Sequence, residues 1–429
     1  MVVSLFQAAK TKKLSSLLEF QSHKINKKFY VFLFFFSLLL YSATIFRVKS
    51  ILWGDSLYYF AHTHSIIVDK DFDFTNEAFR EVDGFPNKPE FSKITGKVIN
   101  KFSPGSSILW IPGFLIGYIF SGGDGYAFVT QYFVAISAII FSVVGLYFTN
   151  NILLFFVNEK ISALTVVFLY LTTQMFYYTS LDPLNSHSAS FMVSAIFFYY
   201  LISFSKNKYL FLGQIFSWQK MLILGLLGGL MALIRNQDLI ILLPTSVLFL
   251  IKNKRGIIEA FNRLILFWGS IFLVLSIQLF ITLELYGQLG SPYLIGGEKL
   301  SWFRPDFFRV LFSFENGLFT FAPILLISFL GLIYQIYTQK NISMKQLFIV
   351  SICAFLLQLY VIASWSKEII GGPYGSRMFI SVLPYLSIGL ASILDKYQDK
   401  NIFKIVVITT IIILFSNNLI QTAIMLIRF

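Results

Sequence analysis

Cysteine is nearly absent from this chain: Cys353 is the only one, and it sits inside an apolar run. That excludes an internal disulfide and a thiolate metal centre. Charge is scarce too, 13% of residues against 56% hydrophobic, with 21 acids facing 34 lysines and arginines. So little charge cannot clothe a water-soluble domain of this length. The apolar segments lack period-two alternation, which excludes an outer-membrane barrel. The net charge of +13 is spread between apolar runs rather than gathered in a stripe, which excludes nucleic acid as a partner. No tandem repeat or separate soluble domain is visible.

What remains is a series of long apolar runs. Lipid leaves the backbone without water partners, so each run must satisfy itself as a helix. The expected fold is all-α, a polytopic transmembrane helical bundle of about eleven spans. Nine runs span 29–46, 126–149, 161–179, 189–205, 264–286, 318–338, 346–365, 378–394 and 405–427. Segment 221–251 is too long for one span and is expected to split in two near Arg235. Residues 107–120 reach only ~21 Å, short of a ~30 Å hydrocarbon core, and read as a dipping helix. Residues 1–28 form a basic cytoplasmic segment ahead of the first span, which reads as a signal anchor with its N-terminus inside, and 29–429 the transmembrane domain. Within it, 47–125 makes an outer loop with interfacial helices and 287–317 a second one. The proposed inner loops are richer in lysine and arginine than the short outer ones, consistent with an inside N-terminus.

The stretch WGDSLYYFAHTHSIIVDKDFD, residues 53–73, gathers acids, aromatics and imidazoles just past the first span. Leu57, Phe60, Ala61, His64, Ile67 and Val68 share one stripe, as in a helix lying flat on the outer leaflet. Asp55 at its start is either a catalytic carboxylate facing the bundle or the N-cap of that helix. His62 and His64 read as local hydrogen-bonding groups rather than metal ligands. Asp69, Asp71 and Asp73 read as an exposed acid run, with a cation grip as the alternative.

Four other places carry polar chemistry. Lys101 in NKFSPG either meets an anionic phosphate as a point charge or snorkels at the interface. Asp182 and His187 share LDPLNSHS, which pairs an acid with a base and also reads as a turn and helix cap. Arg235 opens RNQD mid-way along an apolar segment, which calls for a wet, protein-lined cavity. SWSKEIIGGPYGSR offers Gly371, Gly372 and Gly375 for close backbone approach and ends in Arg377, whose donor fork suits a phosphate. Tyr58, Glu298, Trp302, Glu315 and Tyr374 are candidate acceptor or loop contacts.

Taken in order, WGDSLYYFAHTHSIIVDKDFDFTNE, NKFSPGSSILWIPGFLIG, LNSHSASF, GLLGGLMALIRNQ, ENGLFTFAPILL and GGPYGSRMFISVLPYL resemble bacterial GT-C glycosyltransferases. These are relatives of protein O-mannosyltransferases and of the lipid A aminoarabinose transferase. The resemblance implies an enzyme that takes a sugar from a polyprenyl-phosphate carrier and gives it to a lipid or glycan acceptor. It places the first-loop acid of the family at Asp55, its lysine at Lys101 and its late-loop arginine at Arg377. Relatives often carry a second acid directly after the first, where this chain has Ser56. Asp182, His187 and Asp73 are then the candidates for a second acid or base, and Arg235 joins the phosphate-binding cations. One carboxylate and no evident nucleophile imply direct displacement with inversion. No cofactor is required, although a divalent metal is compatible. The expected setting is the bacterial inner membrane, with membrane lipids around the bundle and the site on the outer, periplasmic face. The rival reading is a lipid or solute transporter of the cell envelope; the bias of the acids toward the proposed outer side argues against it.

Overall fold

A computed structural model of the protein describes residues 27–48, 50–78, 89–204, 216–250, 256–365 and 374–427. The basic segment 1–28, save Lys27 and Lys28, lies outside the described residues, as do Gly371 and Gly372. Among the described residues the chain is helical, with two isolated β-bridges as its only extended pairing. The helices are α1 (Lys27–Val48), α2 (Asp55–His64), α3 (Gly105–Phe120), α4 (Phe128–Leu153), α5 (Glu159–Thr172), α6 (Met175–Ser180) and α7 (Ser186–Ser203). The second half adds α8 (Trp218–Ile234), α9 (Leu242–Leu250), α10 (Ile257–Tyr286), α11 (Ile324–Thr338), α12 (Ile342–Ser364), α13 (Leu383–Tyr397) and α14 (Phe403–Ile427).

Six stretches among the described residues are long and apolar enough to cross a membrane: α1, α4, α10, α12, Arg377–Tyr397 and α14. Their outer faces show how they are solvated. Phe32, Phe35 and Leu39 of α1, Phe272 and Leu273 of α10, and Ile412 and Ile413 of α14 are all exposed. Apolar belts of that extent associate in water and are at home among lipid tails. The protein is an integral membrane protein. α3, α8, the Asn236–Leu250 stretch and α11 are apolar but shorter, and the expected total of about eleven spans depends on such short helices also crossing.

Three of the expected runs are interrupted, each for a local reason. The run 161–179 breaks between α5 and α6, where Thr173 is extended; Asn418 of α14 donates to the carbonyls of Leu171 (2.8 Å) and Thr173 (3.0 Å) that the break releases. The run 318–338 breaks at Ala322-Pro323, since proline cannot continue the preceding turn. The last turn before α13, Arg377–Val382, is a 3₁₀ helix. Segment 221–251 divides as expected: α8 ends at Ile234, Arg235 is extended, and a 3₁₀ turn over Asn236–Ile241 leads into α9.

Burial ranks the helices. Arg377–Tyr397 is 83% buried and Phe403–Ile424 only 17%, so the former runs through the centre and the latter along the rim. α8 packs on α10, α4 on α7, and α11 on α13. A second core joins Tyr41 and Ile45 of α1, Tyr59 and Phe60 of α2, Trp110 and Phe114 of α3, and Val134 and Ala138 of α4.

That second core corrects the expected position of α2. The helix does not lie with one face on lipid: Ser56 and every residue from Tyr59 to His64 are buried in protein. Its polar residues are absorbed as well. The His62 Nε2–H donates to the Phe102 carbonyl at 2.9 Å, and the Thr63 hydroxyl donates to the Ser107 carbonyl at 3.1 Å. Side-chain periodicity located the apolar stripe, but the opposite face found partners on α3 and the turn before it.

Candidate functional site

Asp55 owes its position to Gly54, which adopts φ +57° and ψ −129°, a conformation that L side chains rarely reach. This turn separates the buried Ile51 and Leu52 from the start of α2. Asp55 occupies the first helical position and makes no capping bond. The N-terminal turn is held instead by Ser56, whose Oγ accepts from the Trp53 amide at 2.7 Å. The Asp55 carboxylate reaches across to Arg377, Oδ2 to Nη2 at 2.7 Å.

Arg377 arrives from the far end of the chain through two consecutive left-handed residues, Gly375 (φ +60°) and Ser376 (φ +47°). Ser376 carries a side chain in that conformation because its hydroxyl is anchored, donating to the carbonyls of Asn316 and Val310. The segment 287–317 therefore braces the turn that presents Arg377.

Asp182 joins the same group. It is buried in the turn between α6 and α7 and lies close enough to feel both Asp55 and Arg377. Burial pushes its carboxyl up to about 7, with Arg377 opposing and Asp55 reinforcing the shift. It is not the helix cap; Asn185 is, accepting from the His187 amide at 2.8 Å.

Arg235 sits in the break between α8 and the next 3₁₀ turn. Its Nη1 donates to Ser186 Oγ at 2.9 Å and to His187 Nδ1 at 3.0 Å. A guanidinium has no lone pair to offer, so His187 is the neutral tautomer with its proton on Nε2. The Nε of Arg235 is buried and has no hydrogen-bond partner among the described residues. The Tyr59 hydroxyl also donates to Ser186, at 2.9 Å, which links α2 to this cluster.

Behind both arginines stands Asp238, fully buried. It accepts from Ser190 Oγ (2.6 Å), Ser381 Oγ (2.8 Å) and Gln358 Nε2 (3.3 Å). One carboxylate thus ties α7, α12 and the two 3₁₀ turns that carry Arg235 and Arg377. The sequence shows Asp238 within RNQD but carries no sign of its three partners.

Asp55, Tyr58 and Lys101 line one cavity of about 310 Å³, together with Glu77, Glu90 and Gly296. Lys101 does not stand alone there: Nζ pairs with Glu298 Oε1 at 2.8 Å, and the other oxygen of Glu298 accepts from Trp365 Nε1 at 2.9 Å. Tyr58 stacks on Phe102. A second, apolar hollow of about 440 Å³ runs beside Asn236 and Gln237, lined by Leu239, Ile240, Leu243, Trp268, Trp302 and Trp365 among others.

Other candidates are placed elsewhere. Asp73 is exposed and holds the Thr75 amide (3.1 Å) and hydroxyl (2.6 Å), a short-range cap. Asp71 accepts from the Ser65 hydroxyl at 3.0 Å, while His64 turns toward Asp69 and Glu77. Glu315 lies exposed beyond the short helix Phe307–Phe312. Tyr374 is a core residue, not an acceptor contact: its ring stacks on Tyr177 at 4.7 Å and its hydroxyl bonds to Asn418.

No protein-family model and no curated protein matches the chain. Three-dimensional comparison does find neighbours. Archaeal oligosaccharyltransferase AglB from Archaeoglobus fulgidus, in complex with an inhibitory peptide and a dolichol-phosphate, superposes with a TM-score of 0.50 at 10% identity, over 94% of this chain and 56% of that one. The Archaeoglobus fulgidus oligosaccharyltransferase in complex with Zn and sulfate gives 0.50 at 13%, over 90% and 52%. The same enzyme tethered to an acceptor peptide containing the NVT sequon gives 0.50 at 13%, over 94% and 55%. The chain therefore spans little more than half the length of each, and at such identity the likeness is one of fold. What the chain shares with these enzymes is the fold, here a bundle of apolar helices with polar groups gathered in its loops and helix breaks.

Proposed function

We propose that this protein is an inverting glycosyltransferase that moves a sugar from a polyprenyl-phosphate carrier to a lipid or glycan hydroxyl. The observation that carries the reading is the Asp55–Arg377 pair, whose carboxylate lines the cavity. Displacement at an anomeric carbon needs a base beside the acceptor and cations beside the leaving phosphate, and this pair sets one next to the other. In the proposed step the acceptor oxygen attacks the anomeric carbon from the face opposite the phosphate. Its proton passes to Asp55, with Asp182 as the second acid. The bond to the phosphate oxygen breaks with its electron pair, Arg377 and Arg235 meet the resulting charge, and Lys101 holds the donor phosphate in the bound complex. Positioned proton transfer is worth about 10²–10⁴-fold and each preorganised donor a few kcal/mol.

The apolar hollow beside Gln237 has the lining for the isoprenoid tail, with Arg235 one residue from its polar end. The steps require no cofactor. In the proposed topology the N-terminus is cytoplasmic, about eleven helices cross the bacterial inner membrane, and the cavity opens on the periplasmic side. The test is transfer from a polyprenyl-phosphate-linked sugar library by the purified protein. Asp55→Asn should abolish transfer with membrane insertion intact. The product should carry inverted anomeric configuration by NMR; retention, or full activity of the variant, overturns the reading.

A further inference from the structure

Outside the chemistry just described, one polar cluster stands in the first loop with its charges unbalanced. His64 Nδ1 lies 2.9 Å from Asp69 Oδ2 and 3.2 Å from Glu77 Oε1, and the three donor atoms all fall within 4.8 Å of one another. The side chains of His64 and Glu77 are 7% and 3% exposed. The second oxygen of Glu77, Oε2, is buried and has no hydrogen-bond partner among the described residues. No lysine or arginine pairs with either carboxylate among the described residues.

The backbone is shaped to make this cluster. His64 closes α2, and the chain continues as a π-helical turn over Ser65–Asp69 that ends at Lys70 in a left-handed conformation. In an α-helix, side chains five residues apart diverge by about 140°. The wider π turn brings positions 64 and 69 onto one side, and such turns recur at functional sites. The short helix Thr75–Ala78 then supplies Glu77. The imidazole is held from behind: a Cβ on Gly125 would come within 2.5 Å of its Cδ2, and the Tyr126 ring lies 4.5 Å away.

A single proton on Nδ1 can be donated well to one carboxylate only, and two carboxylates stand beside it, 21% and 3% exposed. A divalent cation resolves this, because it accepts all three groups at once. Ligands at 2.0–2.2 Å around a tetrahedral ion lie ~3.4 Å apart, against 2.9 and 3.2 Å for the two separations found here, so a shift of about half an ångström or less seats the ion. Glu77 Oε2, buried and unpartnered among the described residues, is the further oxygen of the same carboxylate. One imidazole with two carboxylates suits Zn²⁺ better than Mg²⁺ or Ca²⁺, which favour all-oxygen shells.

We propose that His64, Asp69 and Glu77 form a structural zinc site that ties the loop following α2 to the end of that helix. Glu77, Phe74 and Ala78 belong to the wall of the cavity that Asp55 also lines. The ion would lie nine residues along α2 from Asp55, ~14 Å, too far to touch the reacting atoms. Its role is to hold the cavity wall.

The test uses the full-length protein in detergent, stripped with chelator and reloaded with Zn²⁺. Metal analysis should find about one zinc per chain. Glu77→Gln and His64→Ala should weaken zinc binding at least ~10²-fold, since loss of a direct ligand exceeds the effect of losing an outer-shell partner. Zinc should raise the melting temperature of the wild type and leave Glu77→Gln unmoved. Asp55→Asn should bind zinc like the wild type, whatever its transfer activity, which separates this site from the proposed glycosyl transfer. Should the ligand variants fail to fold, cobalt substitution of the wild type decides: a tetrahedral visible spectrum supports the site. Absence of that spectrum, zinc binding unchanged in Glu77→Gln, or zinc lost in Asp55→Asn overturns it.

Discussion

Arg377 Nη2 meets Asp55 Oδ2 at 2.7 Å, joining the first loop to the 3₁₀ turn ahead of α13. Both side chains keep access to solvent, 19% and 33% exposed, so the pair is a working surface rather than a sealed core bridge. Removing either partner should lower transfer by about 10²-fold or more. Arg377→Lys should not restore it, because an ammonium lacks the planar fork needed to hold a carboxylate and a phosphate together. In a double-mutant cycle of Asp55→Asn with Arg377→Gln, measured as kcat/KM, the losses should fall well short of additive. Additive losses would show that the two act separately.

Asp182 predicts a pH signature. Its carboxyl titrates near 3.8 when unfolded and at about 7 in the fold. Between those values the native state keeps a proton that the unfolded chain has released. Stability contributed by this group is therefore full below about pH 4 and falls as pH rises toward 7, then levels off. Thermal unfolding in detergent should show this decline in the wild type and a flatter profile in Asp182→Asn. If Asp182 also takes protons in the reaction, the rising limb of the rate profile near neutrality should disappear in the same variant.

Asp238 is expected to act on the site without touching it. Asp238→Ala strands the Ser190, Ser381 and Gln358 donors in a dry interior, at about 1–3 kcal/mol for each unmet group. The melting temperature should drop, and transfer should fall further than stability alone explains, since both arginine-bearing turns lose their common anchor. Asp238→Asn keeps one acceptor oxygen and should fall between the two.

Lys101 and Glu298 give a subtler contrast. The lysine side chain is 43% exposed, so the pair contributes little to stability. Lys101→Gln should raise the KM for the lipid-phosphate donor several-fold while leaving kcat nearly unchanged. Glu298→Gln releases the ammonium and should lower that KM. Equal and opposite effects on melting temperature instead of KM would assign the pair a purely structural role.

Several of these groups could be picked out from the chain alone, and for different reasons. Asp55 and Arg377 stood out as charges flanking apolar runs, and the break at Arg235 followed from a segment too long for one span with a polar centre. Gly375 stood out as backbone able to approach a ligand closely, since it carries no Cβ. Asp238 was visible only as one letter of a tetrad, because its three partners are serines and a glutamine inside apolar helices. The cluster at His64 was hidden by reading 56–68 as a regular α-helix, in which His64 and Asp69 diverge.

Hydropathy and length determined that this chain enters a membrane as helices, since an unpaired backbone in lipid is too costly for any other solution. They did not determine every stop: 161–179 and 318–338 read as single runs, and the fold breaks them at Thr173 and at Ala322-Pro323. Only the tertiary structure decided which loop acid meets which arginine, that Lys101 answers to Glu298, and that α2 is buried rather than afloat. Those outcomes depend on contacts between residues far apart in the chain, and the spacing along it carries no record of which distant face will fold against which.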